Sequence, residues 1–263
     1  MLISKMYTHR HLLIEMARRE ITDRYAGQIL GVFWAVGHPI FLMLVYMIVF
    51  GLVFNSQLGG TAEEPYDYSV FLLCGLIPWL TFSEALNKAP TAVTSSAGLV
   101  KQVIFPLSVL PIKSALACLF SQVISTLFLM AYVLIRFKFL MWTYCLIPVV
   151  LLFQTMAMIG TSFLLAALGV FFRDLKDIVQ VFCTANFFAM PMIYVPTALP
   201  GFAEKLLLFN PFSHVIWCNQ DVFFFGAFMH PWSWVIYGCG SVFIFLIGYS
   251  VYARMEHLFA NVL

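Results

Sequence analysis

The sequence contains few charged side chains for its length. Only 10% of its 263 residues are Asp, Glu, Lys or Arg, whereas 62% are hydrophobic, and the mean hydropathy is +0.94. A soluble domain carries roughly 25% charged residues, because it needs a polar surface to face water. The composition therefore excludes a soluble globular chain and predicts a protein that lies mostly in a lipid bilayer. A net charge of +2 also provides no basic field for binding nucleic acid.

Common catalytic and metal-binding motifs are also missing. The sequence has no G-x-x-x-x-G-K-[ST] loop for nucleotide binding and hydrolysis, no H-E-x-x-H and no G-x-S-x-G. Its six cysteines stand singly, mostly within apolar runs and without a C-x-x-C pair, so we interpret them as small buried apolar side chains. We therefore expect no catalytic residue and no metal site in this chain.

Long apolar runs are abundant instead. A helix needs about 20 mostly apolar residues to cross a bilayer, and six runs of this kind are separated by charged or turn residues. We expect an all-α integral membrane protein with six transmembrane helices. The six spans cover about Val32–Phe54, Ser69–Leu86, Leu107–Ile135, Trp142–Phe172, Ile178–Val195 and Trp232–Ala253. Residues 32–263 then form one transmembrane domain, and residues 1–31 form a cytoplasmic interface segment before it.

The distribution of Lys and Arg predicts the orientation of these spans, because the cytoplasmic loops of membrane proteins are enriched in both residues. With a cytoplasmic N-terminus, ten of the cations lie inside and three lie outside. The inside set is Lys5, Arg10, Arg18, Arg19, Arg24, Lys88, Lys101, Arg173, Lys176 and Arg254. We therefore expect a multi-pass protein with both termini in the cytoplasm. Lys113 lies at the cytoplasmic end of the third span, where its long side chain can reach the surface.

The N-terminal segment predicts an amphipathic helix at the membrane interface. Within residues 11–27, apolar side chains share one broad side and Glu15, Arg18 and Arg19 lie opposite. Glu20 and Arg24 fall inside the apolar arc, four residues apart, where they can pair with each other or with a partner protein. This charged pair indicates that part of the apolar side contacts protein rather than lipid.

The stretch between the fifth and sixth predicted spans is apolar only in short bursts. Its interrupting polar residues are Glu204, Lys205, Asn210, His214, Asn219, Gln220 and Asp221. Because hydrocarbon does not solvate such groups, we expect two short re-entrant or interfacial helices at the outer leaflet. A seventh and an eighth span are the alternative.

Aromatic side chains are numerous, with 28 Phe, 11 Tyr and 6 Trp. Ionisable side chains well inside the predicted spans are limited to His38 and Glu84, which is unlike an ion-coupled transporter. Most aromatic residues of a membrane protein face lipid or the interface. The remainder can line a path for sugars, whose apolar C–H faces stack on aromatic rings.

Three blocks of the sequence are similar to one known family. They are Arg24-Tyr-Ala-Gly-Gln-Ile-Leu-Gly-Val-Phe-Trp34 followed by Pro39, Val170-Phe-Phe-Arg-Asp-Leu-Lys-Asp-Ile178, and Pro191-Met-Ile-Tyr194 with Leu199-Pro200 and Asn210-Pro211 downstream. In order and spacing they resemble the permeases of type-2 ABC exporters that move polysaccharides, most closely those for O-antigen, capsule or teichoic acid. With the six-span layout, the resemblance covers nearly the whole chain.

The resemblance implies a transporter permease rather than an enzyme. It implies a homodimer in the bacterial cytoplasmic (inner) membrane, paired with two copies of a separate ATP-binding subunit. ATP and Mg would bind to that subunit, so this chain would hold no cofactor. The cargo would be a lipid-linked, O-antigen-like polysaccharide that passes between the two copies of this chain. The short helices before the last span would cover the exit.

The resemblance also implies roles for individual residues. The N-terminal helix and the loop between the second and third spans would dock the ATP-binding subunit. Arg173 and Asp174 would connect the fourth and fifth spans to that helix, although they can equally well mark only the end of the fourth span. The coupling set is Glu15, Arg18, Arg19, Glu20, Arg24, Lys101, Phe105, Arg173 and Asp174. The transport path would use Tyr46, Trp79, Phe82, Phe187, Phe188 and Tyr194.

Two other functions fit the sequence. A type-2 ABC permease for a drug or a small lipid would have the same layout, and the aromatic content does not separate it from a polysaccharide permease. A membrane-embedded enzyme that acts on lipid-linked sugars is the second alternative. The absence of an intramembrane cluster of acids and bases disfavours that enzyme.

Overall fold

The computed structural model describes residues 10–50, 68–96, 98, 106–193 and 201–262. Every regular element within these ranges is helical, as the sequence predicts. The α-helices are α1 (Arg10–Asp23), α2 (Phe33–Val49), α3 (Tyr68–Lys88), α4 (Val109–Phe137), α5 (Ile147–Phe171), α6 (Leu175–Phe188), α7 (Gly201–Phe209), α8 (Pro211–Gln220) and α9 (Pro231–Val262). The tighter 3₁₀ turns are Ala89–Thr91, Thr94–Ser96 and Trp142–Leu146, and Asp221–Phe225 forms a π turn.

Four of these helices are long and apolar enough to cross a membrane. The segments built on α3, α4, α5 and α9 contain 24, 29, 30 and 29 residues, whereas the hydrocarbon core requires about 20. They coincide with the second, third, fourth and sixth predicted spans. The first and fifth predicted spans coincide with α2 and α6, which have 17 and 14 residues in the described part of the chain. These two spans stay predictions.

Local chemistry sets the ends of several helices. Asn210 precedes α8 and its side-chain oxygen accepts a hydrogen bond from Phe212 N at 3.1 Å, which satisfies a backbone N–H that has no partner within the helix. Pro211 follows at the first helical position, where its lack of an N–H does no harm. At the end of α4, Lys138 adopts a left-handed conformation with φ of 61° and donates its N–H to Leu134 O.

α3 lies at the centre of the helix packing. Fifteen of its 21 residues are buried, because α4, α5 and α8 pack around it. Such burial agrees with a sequence that is apolar on all sides. In contrast, α9 packs along α5 and turns many large apolar side chains outward, such as Phe243 and Leu246. The outer surface of the bundle is therefore apolar, as contact with lipid or with another membrane protein requires.

A buried polar connection joins three of the long helices. Gln122 of α4 donates from Nε2 to Gln154 Oε1 of α5 at 2.8 Å, and Gln154 Nε2 donates to Pro78 O of α3 at 2.9 Å. Both glutamine side chains are buried. Hydrogen bonds between helices contribute to packing inside a membrane, where burial of apolar surface no longer drives association. These two bonds fix α3, α4 and α5 relative to one another.

α5 and α9 approach each other closely at two glycines. A methyl group added to Gly160 would lie 2.6 Å from the backbone of Ile244 and Phe245, and one added to Gly248 would overlap Gly160 O. Small residues at helix crossings let backbones come within contact distance and maximise van der Waals packing in membranes. Gly160 and Gly248 thus permit the backbones of α5 and α9 to approach each other closely.

Two short helices, α7 and α8, lie between α6 and α9, as the sequence predicts. They contain 9 and 10 residues, so neither is long enough to be an additional span. Several polar side chains of this region are buried with protein partners, whereas Lys205 is exposed. Asp221 is buried and accepts hydrogen bonds from His230 N, His230 Nδ1 and Trp234 Nε1 at 3.1, 2.8 and 2.9 Å.

The same pattern holds for the neighbouring residues of α8. Gln220 donates to Pro191 O at 2.9 Å, and the ring of His214 contacts Ser233 Oγ at 3.0 Å. Burial lowers the pKa of His214, so its ring is neutral near pH 7. The protein itself therefore supplies partners for His214, Gln220 and Asp221, and the position of α7 and α8 at the outer leaflet stays a prediction.

The close crossing of α5 and α9 predicts a selective loss of stability. The substitution Gly248→Ala should destabilise the protein by about 1–3 kcal/mol, because the added methyl group overlaps the backbone of Gly160, which cannot move away easily. Thermal unfolding of the purified protein in detergent measures the effect. Gly240→Ala on the same helix is the matched control, since no atom lies within 4 Å of its added methyl group. Equal unfolding temperatures for the two variants would contradict a tight crossing.

Candidate functional site

The amphipathic helix α1 lies against α4. Leu13 and Ala17, one turn apart, are buried, and Met16 packs beside them against the core. Glu15 and Arg18 are exposed. Protein contacts therefore cover part of the apolar side of α1, as the sequence indicates, and the charged side is open for binding another molecule.

Arg24, just beyond the end of α1, binds the C-terminal end of α3. Its guanidinium pairs with Glu84, which also pairs with Lys88 one turn later at 2.9 Å. A Glu placed four residues before a Lys is the favourable order on a helix. Lys88 Nζ lies 3.8 Å from Cys118 Sγ of α4. Glu84 is thus held between a cation of its own helix and a cation from the N-terminal segment.

Glu20 of α1 binds a different membrane helix. Its carboxylate lies 3.0 Å from Lys113 Nζ in the second turn of α4. The sequence allowed Glu20 and Arg24 to pair with each other or with a partner protein. In the structure each pairs with a membrane helix of the same chain, because α1 ends at Asp23 and Arg24 turns away from the helix. We call Glu20, Arg24, Glu84, Lys88 and Lys113 the charged junction.

The charged junction is only partly accessible to solvent. Its five side chains are between 20% and 31% exposed, so water and salt screen these pairs less than a surface pair. Burial by itself lowers the pKa of Arg24, but the Glu84 carboxylate raises it, and the net shift is upward. Arg24 therefore stays charged. Removing one member of such a pair leaves the other member as an uncompensated charge in a poorly solvated position.

Three members of the junction, Glu84, Lys88 and Lys113, were not among the predicted coupling residues, although the sequence gives a reason to examine two of them. Glu84 and Lys113 were identified as ionisable residues within predicted spans, where a charged side chain is costly unless it has a partner. Their partners did not follow from the sequence, because they lie on a distant segment. Lys88 carried no signal beyond its place at the end of the second span.

Three further predicted coupling residues, Arg19, Arg173 and Asp174, take no part in the ion pairs of the junction. Arg173 and Asp174 are exposed in the turn between α5 and α6. The backbone carbonyl of Asp174 accepts from Asp177 N and Ile178 N at 3.1 Å each, while its side chain makes no capping bond. Arg19 forms an exposed pair with Asp23 at 4.0 Å. Lys101 and Phe105 lie outside the described residues.

The aromatic residues predicted to line a path occupy different environments. Trp79 and Phe82 of α3 are buried, with their ring centroids 5.4 and 5.1 Å from that of Phe212 on α8. Within one chain they therefore belong to the core. Phe188 on α6 is instead 61% exposed, and its ring contacts that of Phe187.

The other two predicted path residues lie elsewhere. Tyr46 on α2 is half-buried and its ring lies 6.2 Å from that of Phe50. Tyr194 falls outside the described residues. The six side chains therefore do not form one continuous surface in the part of a single chain that the structure describes, and their role in transport stays a prediction.

The described ranges contain no group of three His, Cys, Asp or Glu side chains placed to hold a metal ion. Asp221 and His230 form a pair outside the junction, and hydrogen bonds from His230 and Trp234 occupy both oxygens of that carboxylate. The junction itself connects residues of the N-terminal segment with α3 and α4 through ion pairs.

Known proteins share the sequence of this chain over most of its length. The ABC-2 type transporter family matches residues 11–224. The O-antigen export system permease protein RfbA of Myxococcus xanthus is 31% identical over 225 residues, which cover 85% of this chain and 84% of that protein. A protein of the same name from Klebsiella pneumoniae is 25% identical over 96% of this chain and 95% of its own length.

A further relative carries a different cargo in its name. The polysialic acid transport protein KpsM of Escherichia coli is 21% identical over 90% of this chain and 91% of its own length. The family match covers well over half of the chain, and four helices can span a membrane. These findings confirm the resemblance noted in the sequence: this chain belongs to the ABC-2 type transporter family and is a transporter membrane subunit, not an enzyme.

Proposed function

We propose that this chain is the transmembrane subunit of an ABC transporter that exports a lipid-linked, O-antigen-like polysaccharide across the bacterial cytoplasmic membrane. Three relatives that match almost their whole length are named for export of O-antigen or transport of polysialic acid. The similarity covers 90–96% of this chain, so it is not a match to one common span. The names of these relatives all refer to a cargo that is a polymer of sugars.

A separate ATP-binding subunit supplies the energy in this proposal. The sequence has no P-loop, so ATP and Mg bind to the partner and this chain holds no cofactor. Two copies of this chain and two ATP-binding subunits form the transporter. A second copy is needed because the exposed aromatic side chains proposed for the path lie at the surface of one chain, where only another chain can enclose them.

The proposed topology follows from the distribution of charge. Both termini, the charged junction and the turn between α5 and α6 lie on the cytoplasmic side, where most Lys and Arg residues are found. α7 and α8 then lie towards the outside, near the exit of the path. This orientation places the exposed, charged side of α1 in the cytoplasm, within reach of an ATP-binding subunit.

The charged junction is the observation that carries the proposed mechanism. The exposed residues Glu15, Arg18 and Arg19 of α1 contact the ATP-binding subunit, together with Lys101, Phe105, Arg173 and Asp174 from the two cytoplasmic connections. Glu20 and Arg24 transmit the resulting displacement of α1 to α4 and α3 through their ion pairs. ATP binding shifts the channel only if the ATP-binding subunit binds the two states of the channel with different affinity. The ion pairs of Glu20 and Arg24 connect the position of α1 to that of α3 and α4, so the surface that α1 offers to the subunit differs between the two states.

The proposed path includes an exposed stripe along α6. Gln180, Thr184 and Phe188 are exposed and four residues apart, so they lie on one face of the helix. Amide, hydroxyl and aromatic groups together suit a sugar chain, which offers hydroxyl groups and apolar C–H faces. Tyr46 of α2 and the stripe then line the path between the two copies.

The function is tested by deleting the gene and measuring polysaccharide at the cell surface. We expect surface polysaccharide to disappear and lipid-linked polymer to accumulate inside the cell, and we expect the tagged chain to copurify with an ATP-binding subunit. Normal surface polysaccharide together with sensitivity to a drug would favour the small-molecule permease instead.

The charged junction predicts that the pair on α1 and α4 can be exchanged. Glu20→Lys places two cations together, and we expect export to fall at least about fivefold, in the range of a typical coupling energy. Lys113→Glu in the same chain restores an opposite pair and should recover most of the export. Surface polysaccharide and the amount of membrane-inserted protein are measured together for each variant. Export that stays low in the exchanged variant, with normal insertion, would contradict the proposed role of this pair.

The two environments of the predicted path residues give a second prediction. Phe188→Ala should lower export without changing the unfolding temperature, because the ring is exposed. Trp79→Ala should lower the unfolding temperature, because loss of a buried Trp costs about 3–5 kcal/mol. Export assays and thermal unfolding in detergent separate the two effects. An unchanged export rate for Phe188→Ala would assign that ring to the lipid-facing surface.

A further inference from the structure

The last helix holds the backbone at the start of α4. Tyr252 Oη of α9 donates to Leu107 O at 2.9 Å, and Leu107 N donates to Glu256 Oε1 of α9 at 3.2 Å. The backbone N–H and C=O of Leu107 are therefore each bound by a side chain of α9. Tyr252 and Glu256 lie four residues apart, so they share one face of α9.

Glu256 binds the backbone immediately before α4. The first N–H groups of a helix have no partner within it, and a neighbouring Ser, Thr, Asp or Asn side chain usually accepts from one of them. Ser108 precedes α4 and makes no such bond. The carboxylate of Glu256 accepts instead from Leu107 N, just before the helix, and its negative charge also suits the positive end of the helix dipole.

Tyr252 is held rigidly in place. Its side chain is fully buried, and its ring lies 5.1 Å from that of Phe163 on α5 and 5.3 Å from that of Phe259 on α9. The nearby glycines Gly160 and Gly248 bring α5 and α9 into close contact. The hydroxyl of Tyr252 therefore moves only if α5 and α9 move with it.

The start of α4 is thus attached at two points. Glu20 of α1 binds Lys113 in the second turn of α4, and Tyr252 and Glu256 of α9 bind Leu107 just before its first turn. Leu107 also directly follows the cytoplasmic connection that contains Lys101 and Phe105. A displacement of that connection consequently acts on α9 as well as on α4.

We infer that Tyr252 and Glu256 are positioning residues for transport, which link the cytoplasmic connection before Leu107 to α9 and, through it, to α5. This inference rests on the proposed function for the connection as a contact of the ATP-binding subunit. It adds a second route to the one through α1: the partner moves the start of α4, and the two side chains pass that movement to the last helix.

The test compares export with ATP hydrolysis in the complete transporter. Tyr252→Phe combined with Glu256→Ala removes both hydrogen bonds and keeps the buried ring. We expect the amount of polysaccharide exported per ATP hydrolysed to fall about tenfold, because each lost bond is worth roughly a fewfold change in an equilibrium. Tyr249→Phe is the matched control, since it removes a hydroxyl one turn earlier on a ring that also contacts Phe163. Glu256→Gln keeps an oxygen that can accept from Leu107 N and should retain most of the export.

A merely structural role would lower export and ATP hydrolysis together through loss of protein, and would overturn the inference. A wild-type ratio in the double variant would overturn it as well.

A second measurement does not depend on the cargo. Hydrogen exchange is followed in the transporter with and without trapping by ATP and vanadate. We expect trapping to change exchange both in residues 107–112 and in residues 249–259 of the wild type, and only in residues 107–112 of the double variant. Identical changes in both proteins would overturn the inference, even if the wild type exported no polysaccharide and the proposed function failed.

Discussion

The arrangement of the helix ends at the charged junction depends on one electrostatic constraint: a charge at the end of a membrane helix needs an opposite charge close by. Without the N-terminal segment, Glu84 would pair with Lys88 of its own helix, and Lys113 would lose the carboxylate of Glu20. Arg24 and Glu20 supply both partners from one short segment. The position of α1 against α3 and α4 follows from these pairs, and so does the orientation of its exposed side.

The interior of the bundle makes the junction useful for transmission. Gln122, Gln154 and the backbone of Pro78 connect α3, α4 and α5 by hydrogen bonds, and two glycines bring α5 and α9 into backbone contact. Closely packed helices transmit a displacement because they have little free volume in which to absorb it. A movement that enters at α1 or at the start of α4 therefore reaches helices that do not contact the ATP-binding subunit in our proposal.

The sequence predicted the parts of this structure that depend on composition and periodicity. The second predicted span, Ser69–Leu86, differs from α3 by one or two residues at each end, and the amphipathic N-terminal helix is present. The end of α1 at Asp23 was not predicted, because the first helix breaker in the sequence is Gly27. Spacing therefore suggested that Glu20 and Arg24 share one helix. The contact of Tyr252 with Leu107 could not be predicted either, since a backbone group of any residue can serve as the partner.

The aromatic residues show why a path is harder to predict than a span. In α3, apolar residues occur on every side, so the pattern contains no information about which ring is turned towards cargo, and Trp79 and Phe82 pack against Phe212. α6 differs because polar residues recur on its exposed face, with Gln180 two turns and Thr184 one turn before Phe188. The Thr184 hydroxyl donates to Gln180 O at 2.9 Å, whereas lipid does not solvate the Gln180 amide. In our proposal, a ring on the face of such an amide faces a sugar rather than a hydrocarbon chain. Polar neighbours at helical spacing are therefore a better indicator of a sugar path than the number of aromatic residues.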